Sequence, residues 1–143
     1  MNIPRMQVLT LGVRDLKIST VFYTAVFGTQ RSGDHEGVAF FTLPGVWLTL
    51  YPLDKLGEDI DAKLPLPARG FSGFSIGHNV ARREDVDAVF AHAQAAGARI
   101  AKAPHDTFWG GYSGYFADPD GYYWEVAWGP MFDFARDGAL RFK

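Results

Sequence analysis

The sequence predicts an α+β fold: two tandem βαβββ modules forming one partly closed, concave mixed β-sheet, with helices on the outside. Three observations predict it. Strand-like runs and amphipathic helices follow in the order strand, helix, strands, and after a proline-bearing stretch the same order returns. The repeat has a period of roughly 65 to 70 residues. Two landmarks set its register, because Val13 and Val80 each stand just before a helix and Gly45 and Gly121 each sit in a hairpin turn. Val8 is then equivalent to Ser75, and Thr49 to Glu125. A module of this size cannot bury both faces of its own sheet, so two are expected to share one. The 143 residues are read as a single domain, with module one over about 6–53, a linker over about 54–70, module two over about 71–128 and a tail over 129–143.

In module one, Gln7 to Val13 alternates as a strand, with Leu9, Leu11 and Val13 on an apolar face and Val8, Thr10 and Gly12 on a smaller one. Asp15 is placed to cap a helix striped by Ile18, Val21, Phe22, Ala25 and Val26, and Gly28 to end it. Residues 29–37 read as loop or a short strand. Val38 to Leu43 and Val46 to Tyr51 are strands joined at Pro44-Gly45, and Trp47, Thr49 and Tyr51 share a face. Pro52 to Ala68 reads as the linker, with a short helix around Leu53–Ile60.

Module two opens with a strand from Phe71 to Val80. Phe74, Ile76, His78 and Val80 alternate there against Ser75, Gly77 and Asn79, which predicts His78 as a hydrogen-bonded core histidine. Its helix is striped by Val86, Val89, Phe90, Ala93 and Gly97, with Glu84, Asp85 and Asp87 complementing the N-terminal dipole. Ala98 to Thr107 is a strand interrupted near Pro104, and Phe108 to Gly111 a loop. Aromatic runs then flank Asp118-Pro119-Asp120-Gly121, where proline fixes φ and glycine tolerates a positive one. Tyr112 to Trp128 is thus a β-hairpin. Tyr123, Glu125 and Ala127 share one face of its second strand, and Glu125 projects from among large apolar neighbours. Periodicity leaves open whether that carboxylate is a solvated face residue or a functional group tuned by its surroundings. The tail keeps Met131, Phe132, Phe134, Leu140 and Phe142, which must cover something on this chain or on a partner.

Composition narrows the partners. A net charge of −2 gives no basic footprint, so nucleic acid is not expected. No apolar run is long enough to span a membrane, the N-terminus lacks the pattern of an export signal, and a cytoplasmic location is expected. With zero cysteines there are no disulfides, thiolate nucleophiles or thiolate metal ligands. An aromatic content of 15% is high, and such side chains line ligand cavities as well as cores.

Two segments carry a resemblance. The run Asp118-Pro119-Asp120-Gly121-Tyr122-Tyr123-Trp124-Glu125-Val126 resembles the closing segment of the vicinal oxygen chelate superfamily, which groups glyoxalase I, bleomycin-resistance proteins, fosfomycin-resistance enzymes and extradiol dioxygenases. Leu11-Gly12-Val13-Arg14-Asp15-Leu16, then Val21-Phe22-Tyr23 and Phe27-Gly28, resemble its opening segment, so the likeness spans about residues 6–128. In metal-dependent members, two strand positions per module supply histidine, glutamate or glutamine ligands to an ion that polarises two neighbouring substrate oxygens. Carried over, those positions are Val8, Thr49, Ser75 and Glu125. Glu125 alone is a strong ligand among them, so no metal cofactor is expected, and a divalent metal is the alternative. His35 falls in a polar loop and His92 on the surface, while His105 is the histidine best placed for pocket contact.

What remains is an aromatic pocket with one carboxylate. The residues expected to face it are Phe41, Trp47, Thr49, Tyr51, Asn79, Tyr123 and Glu125, with the Trp109-Gly110-Gly111 loop at its mouth. An unpaired, desolvated Glu125 would serve as general base or acid, whereas an arginine partner such as Arg5 or Arg69 would make it structural. Two functions follow. One is a metal-independent protein that binds a small organic molecule. The other is a glyoxalase- or dioxygenase-like enzyme, metal-dependent or metal-free with Glu125 as general base. The resemblance also implies a homodimer.

Overall fold

Strand β1 (Val8–Val13) runs parallel to β3 (Trp47–Pro52), and β2 (Ala39–Phe41) runs antiparallel to β3, giving the sheet order β1-β3-β2. These belong to the first of two units, Met1–Arg69 and Gly70–Lys143, in a computed structural model that describes residues 1–143. Pairing puts Leu11, Val13, Ala39, Phe41, Leu48 and Leu50 on one side, and all are buried. Helix α1 (Leu16–Phe27) covers this side. The Asp15 carboxylate accepts from the Ile18 N–H at 2.9 Å, and Gly28 ends the helix at φ 66°.

The buried side of α1 is rotated from the predicted stripe. Ser19, Phe22 and Tyr23 are buried, while Ile18 and Val21 are 56% and 64% exposed. The aromatic rings decide this: Tyr23 stacks on Phe27 at 5.4 Å, and Phe27 meets the edge of Phe41 at 5.4 Å. Burying those rings removes more apolar area from water than burying Ile18 and Val21 would. Helix α2 (Leu53–Ile60) occupies the predicted residues. It closes on Gly12, where a Cβ would lie 2.6 Å from the Leu53 side chain, so a larger residue would push that side chain aside.

In the second unit, β4 (Ser75–Asn79) runs parallel to β7 (Tyr123–Trp128), and β6 (Tyr112–Ala117) is antiparallel to both β7 and β5 (Arg99–Asp106). The order is β4-β7-β6-β5. Strand β4 begins later than predicted, after Gly73 turns the chain at φ 88°. Helix α3 (Arg83–Ala95) buries Val86, Phe90 and Ala93, and Phe90 meets Phe116, which stacks on Trp124. In the hairpin turn the Asp118 carboxylate accepts from the N–H groups of Asp120 and Tyr122, both at 2.9 Å. Strand β5 shifts register on either side of Lys102, an irregularity that extends to His105 past Pro104. The tail, read from sequence only as apolar cover, forms a hairpin of β8 (Phe132–Phe134) and β9 (Leu140–Phe142), with Arg141 on Asp133 at 2.9 Å.

The mixed α+β architecture is the predicted one, although the strands bond as three separate sheets rather than one. Pairing also reproduces the repeat. Val8 lies opposite Trp47 as Ser75 lies opposite Tyr123, and Thr49 lies between Thr10 and Phe40 as Glu125 lies between Gly77 and Tyr115. No helix is long and apolar enough to cross a membrane.

Candidate functional site

Each unit turns one sheet face away from its helix, and the candidate residues stand there. In the second unit this face carries Ser75, Gly77 and Asn79 from β4, Tyr123 and Glu125 from β7, and Ser113 and Tyr115 from β6. Glu125 is half-buried and lies directly opposite Tyr115 in the ladder. Partial burial first, and then the acceptor oxygens and negative charge of Glu125, push the Tyr115 phenol above its ordinary value of 10.0. The phenol therefore stays protonated, as a donor, across the physiological range.

The geometry around the pair is open on one side. Gly77 lies directly opposite Glu125, and a Cβ added there would meet nothing within 4 Å. Tyr123, two residues before Glu125 on the same face, holds its ring 6.1 Å from Phe71. Lys102 and His105 of β5 lie opposite Tyr115 and Ser113, and a His105 ring nitrogen engages the Ala103 carbonyl at 3.1 Å. Sequence reasoning missed Tyr115. The signal was present in the hairpin register, because the residue opposite Glu125 follows from counting back from the turn.

The first unit presents Val8, Thr10, Phe40, Trp47, Thr49 and Tyr51 on the equivalent face. Phe41, predicted to face a pocket, is corrected to the opposite side. It is 0% exposed against Tyr23 and Phe27, because Phe40 is the residue paired with Thr49, and adjacent strand residues point opposite ways. Phe40 meets Trp47 at 6.4 Å, and His35, read as a loop residue, stands edge-on to Phe40 at 5.3 Å. Trp109 is likewise engaged elsewhere. Its ring lies over Gly111 and Gly129 and 6.4 Å from Phe132, anchoring the tail rather than closing a mouth.

His78 is not the predicted core histidine. It lines an open groove of about 520 Å³ with Val80, Ala88, Val89, His92 and Phe134, because β4 is the outermost strand and nothing closes over it on that side. Partial desolvation in the groove still lowers its imidazole below the usual 6.5.

The four positions that the resemblance assigns to a metal do not fit one. Val8 has no donor atom, Thr49 and Ser75 offer neutral hydroxyls, and Glu125 is the one strong ligand among the four. No three His, Asp or Glu side chains gather where an ion could be held. The chemistry this chain's own residues offer is hydrogen bonding, aromatic contact and proton exchange at one carboxylate–phenol pair.

The first unit has one strand fewer than the predicted βαβββ, running β1-α1-β2-β3-α2, while the second has the full βαβββ order. Two such related units define a class, and the family profile described as Glyoxalase/Bleomycin resistance protein/Dioxygenase superfamily matches residues 5–126. The chain belongs to that superfamily. Among solved structures it is similar to a glyoxalase-related enzyme from Fulvimarina pelagi, at 30% identity and a TM-score of 0.86 over 98% of this chain and 99% of the other. A glyoxalase/bleomycin resistance protein/dioxygenase from Nocardioides matches at 28% identity and 0.73, over 90% of this chain and 85% of the other. A lactoylglutathione lyase from Agrobacterium tumefaciens matches at 25% and 0.67, over 94% and 100%.

Proposed function

We propose that the protein binds a small organic molecule on its aromatic sheet faces without a bound metal ion. The observation that carries this reading is the Glu125–Tyr115 pair beside the open floor at Gly77. A half-buried carboxylate beside a phenol has acceptor capacity for a ligand donor, and the ring of Tyr123 supplies flat apolar surface next to it. The matching ligand is an organic cation or amine with an aromatic body, held by charge-assisted hydrogen bonding and cation–π contact. The donor set at Val8, Thr49, Ser75 and Glu125 supports the metal-free part of the reading.

The test has two arms. Elemental analysis of untagged protein purified without chelator is expected to find no stoichiometric metal; near-stoichiometric metal lost in Glu125→Ala overturns the metal-free reading. Benzylammonium titrated into the protein is expected to shift the signals of Glu125, Tyr115 and Tyr123. Glu125→Gln should weaken it by about tenfold, the scale of one charge-assisted hydrogen bond. Unchanged affinity in Glu125→Gln removes the carboxylate from the site.

A second reading is favoured by the same pair, since a carboxylate beside a protonated phenol is also an acid–base unit. In that reading the protein is a metal-free lyase or isomerase in which Glu125 takes a proton and Tyr115 stabilises the resulting oxyanion. Loss of turnover in Glu125→Gln with binding retained would select it. A homodimer in the cytoplasm completes the proposal. The exposed Ile18 and Val21 of α1 and Phe142 of the tail are apolar surface that a second copy could cover, which light scattering on wild type and Val21→Lys would test.

A further inference from the structure

Thr49, at the centre of β3, is 5% exposed, and its hydroxyl oxygen is sealed from solvent with no hydrogen-bond partner in the chain. Buried polar side chains are partnered in the great majority of cases, and an unmade bond costs free energy. In the second unit the equivalent of Thr49 is Glu125 and the equivalent of Phe40 is Tyr115. Phe40 offers the ring without a hydroxyl. The Thr10 hydroxyl, on the other side of Thr49 in the ladder, makes no bond to it either.

We infer that this face takes a neutral, planar aromatic molecule bearing one hydroxyl or carbonyl, which hydrogen-bonds to Thr49 and lies against Phe40 and Trp47. The inference rests on the reading of the chain as a small-molecule binder, and it names a ligand chemistry distinct from that of the Glu125 face. The surroundings set the class. Val8, Thr10, Phe40, Trp47, Thr49 and Tyr51 carry no formal charge, so an ionised group brought here would lose hydration without compensation. One orphaned hydroxyl among rings selects a flat apolar body with one polar substituent, and it rejects the analogue that lacks it. Trp47, 45% exposed and in edge contact with Phe40 at 6.4 Å, supplies a second ring for the ligand to lie against.

Phenol and toluene form a matched probe pair, alike in shape and differing at hydroxyl against methyl. Both are titrated into wild type, Thr49→Val and Phe40→Tyr, with residue-resolved NMR. In wild type, phenol should shift the Thr49 and Phe40 signals and bind about tenfold tighter than toluene. Thr49→Val should abolish that preference without lowering the melting temperature. Phe40→Tyr keeps the ring and places its hydroxyl beyond the Thr49 oxygen, so it should leave the phenol preference in place. An equal phenol preference in wild type and Thr49→Val overturns the inference, as does probe binding that leaves the Thr49 and Phe40 signals unmoved. If benzylammonium still binds at Glu125 in that case, the binder reading stands and the Thr49 site alone is lost.

Discussion

The two sheet faces share a ladder and differ in chemistry. At the central position one has Thr49 and the other Glu125; beside it one has Phe40 and the other Tyr115; on the far side one has Thr10 and the other Gly77. On the helix sides the modules agree instead, each placing a large aromatic ring against its sheet, Tyr23 in one and Phe90 in the other. Packing density leaves little freedom where a helix presses on a sheet, because each ring must fill a volume fixed by its neighbours. The open faces carry no such constraint. One became uncharged with an orphaned hydroxyl and the other anionic, so the two faces of the repeat differ in the chemistry they offer.

The sharpest way to break this comparison is to exchange a helix-side ring for an open-side one. Phe41→Ala deletes a fully buried ring between Tyr23 and Phe27 and should cost about 3–5 kcal/mol, read as a fall in the denaturation midpoint. Phe40→Ala removes its neighbour in sequence from a half-exposed face and should cost only about 1 kcal/mol. Similar losses for the two would mean that the open face of the first unit is packed as tightly as its core.

These neighbouring phenylalanines also show what sequence could and could not settle. The Asp15 cap, the linker helix at Leu53–Ile60 and the hairpin around Asp118 follow from local periodicity and turn chemistry, and the structure has each of them. Which of Phe40 and Phe41 faces the helix depends on where β2 starts pairing with β3, a non-local register that a three-residue strand does not encode. The same holds for α1, where spacing alone favoured Ile18 and Val21 and ring packing chose Tyr23. At the site, Glu125 and its face were legible because the hairpin turn is unambiguous. Tyr115 was legible in principle from that turn. The engagement of Trp109 by the tail was not, because it joins a loop to a hairpin of residues with weak alternation.

A smaller effect sharpens the contrast at the paired position. Tyr115→Phe converts the second unit's pair into the first unit's arrangement and removes the hydroxyl beside Glu125. The half-buried carboxylate regains some water, so the loss should be about 1 kcal/mol. The phenol also predicts an alkaline signature. Its folded-state pKa lies above the unfolded value of 10.0, so its contribution to stability is complete below pH 10 and is lost as pH rises through the folded-state value. Wild type should therefore show a decline in stability above pH 10 whose steepness falls in Tyr115→Phe. Identical alkaline limbs for the two proteins would place the Tyr115–Glu125 interaction outside the folding equilibrium.

The smallest predicted effect comes from His78, in the groove between β4 and α3. Desolvation holds its folded-state pKa below 6.5, so the unfolded chain binds the proton more readily. The sign runs opposite to that of Tyr115: this histidine costs nothing above pH 6.5, and stability falls as pH drops through the folded-state value. The Asp85 carboxylate, which lines the same groove, would favour the imidazolium and shrink the effect, but the Arg82 guanidinium already engages it at 2.6 and 3.0 Å. His92 lines the groove as well and would oppose a second positive charge there. A urea titration at pH 5.5 and pH 7.5 should show a smaller stability difference for His78→Asn than for wild type. A larger difference in the variant would mean that the groove stabilises the charged ring and that Asp85, despite Arg82, is its counter-ion.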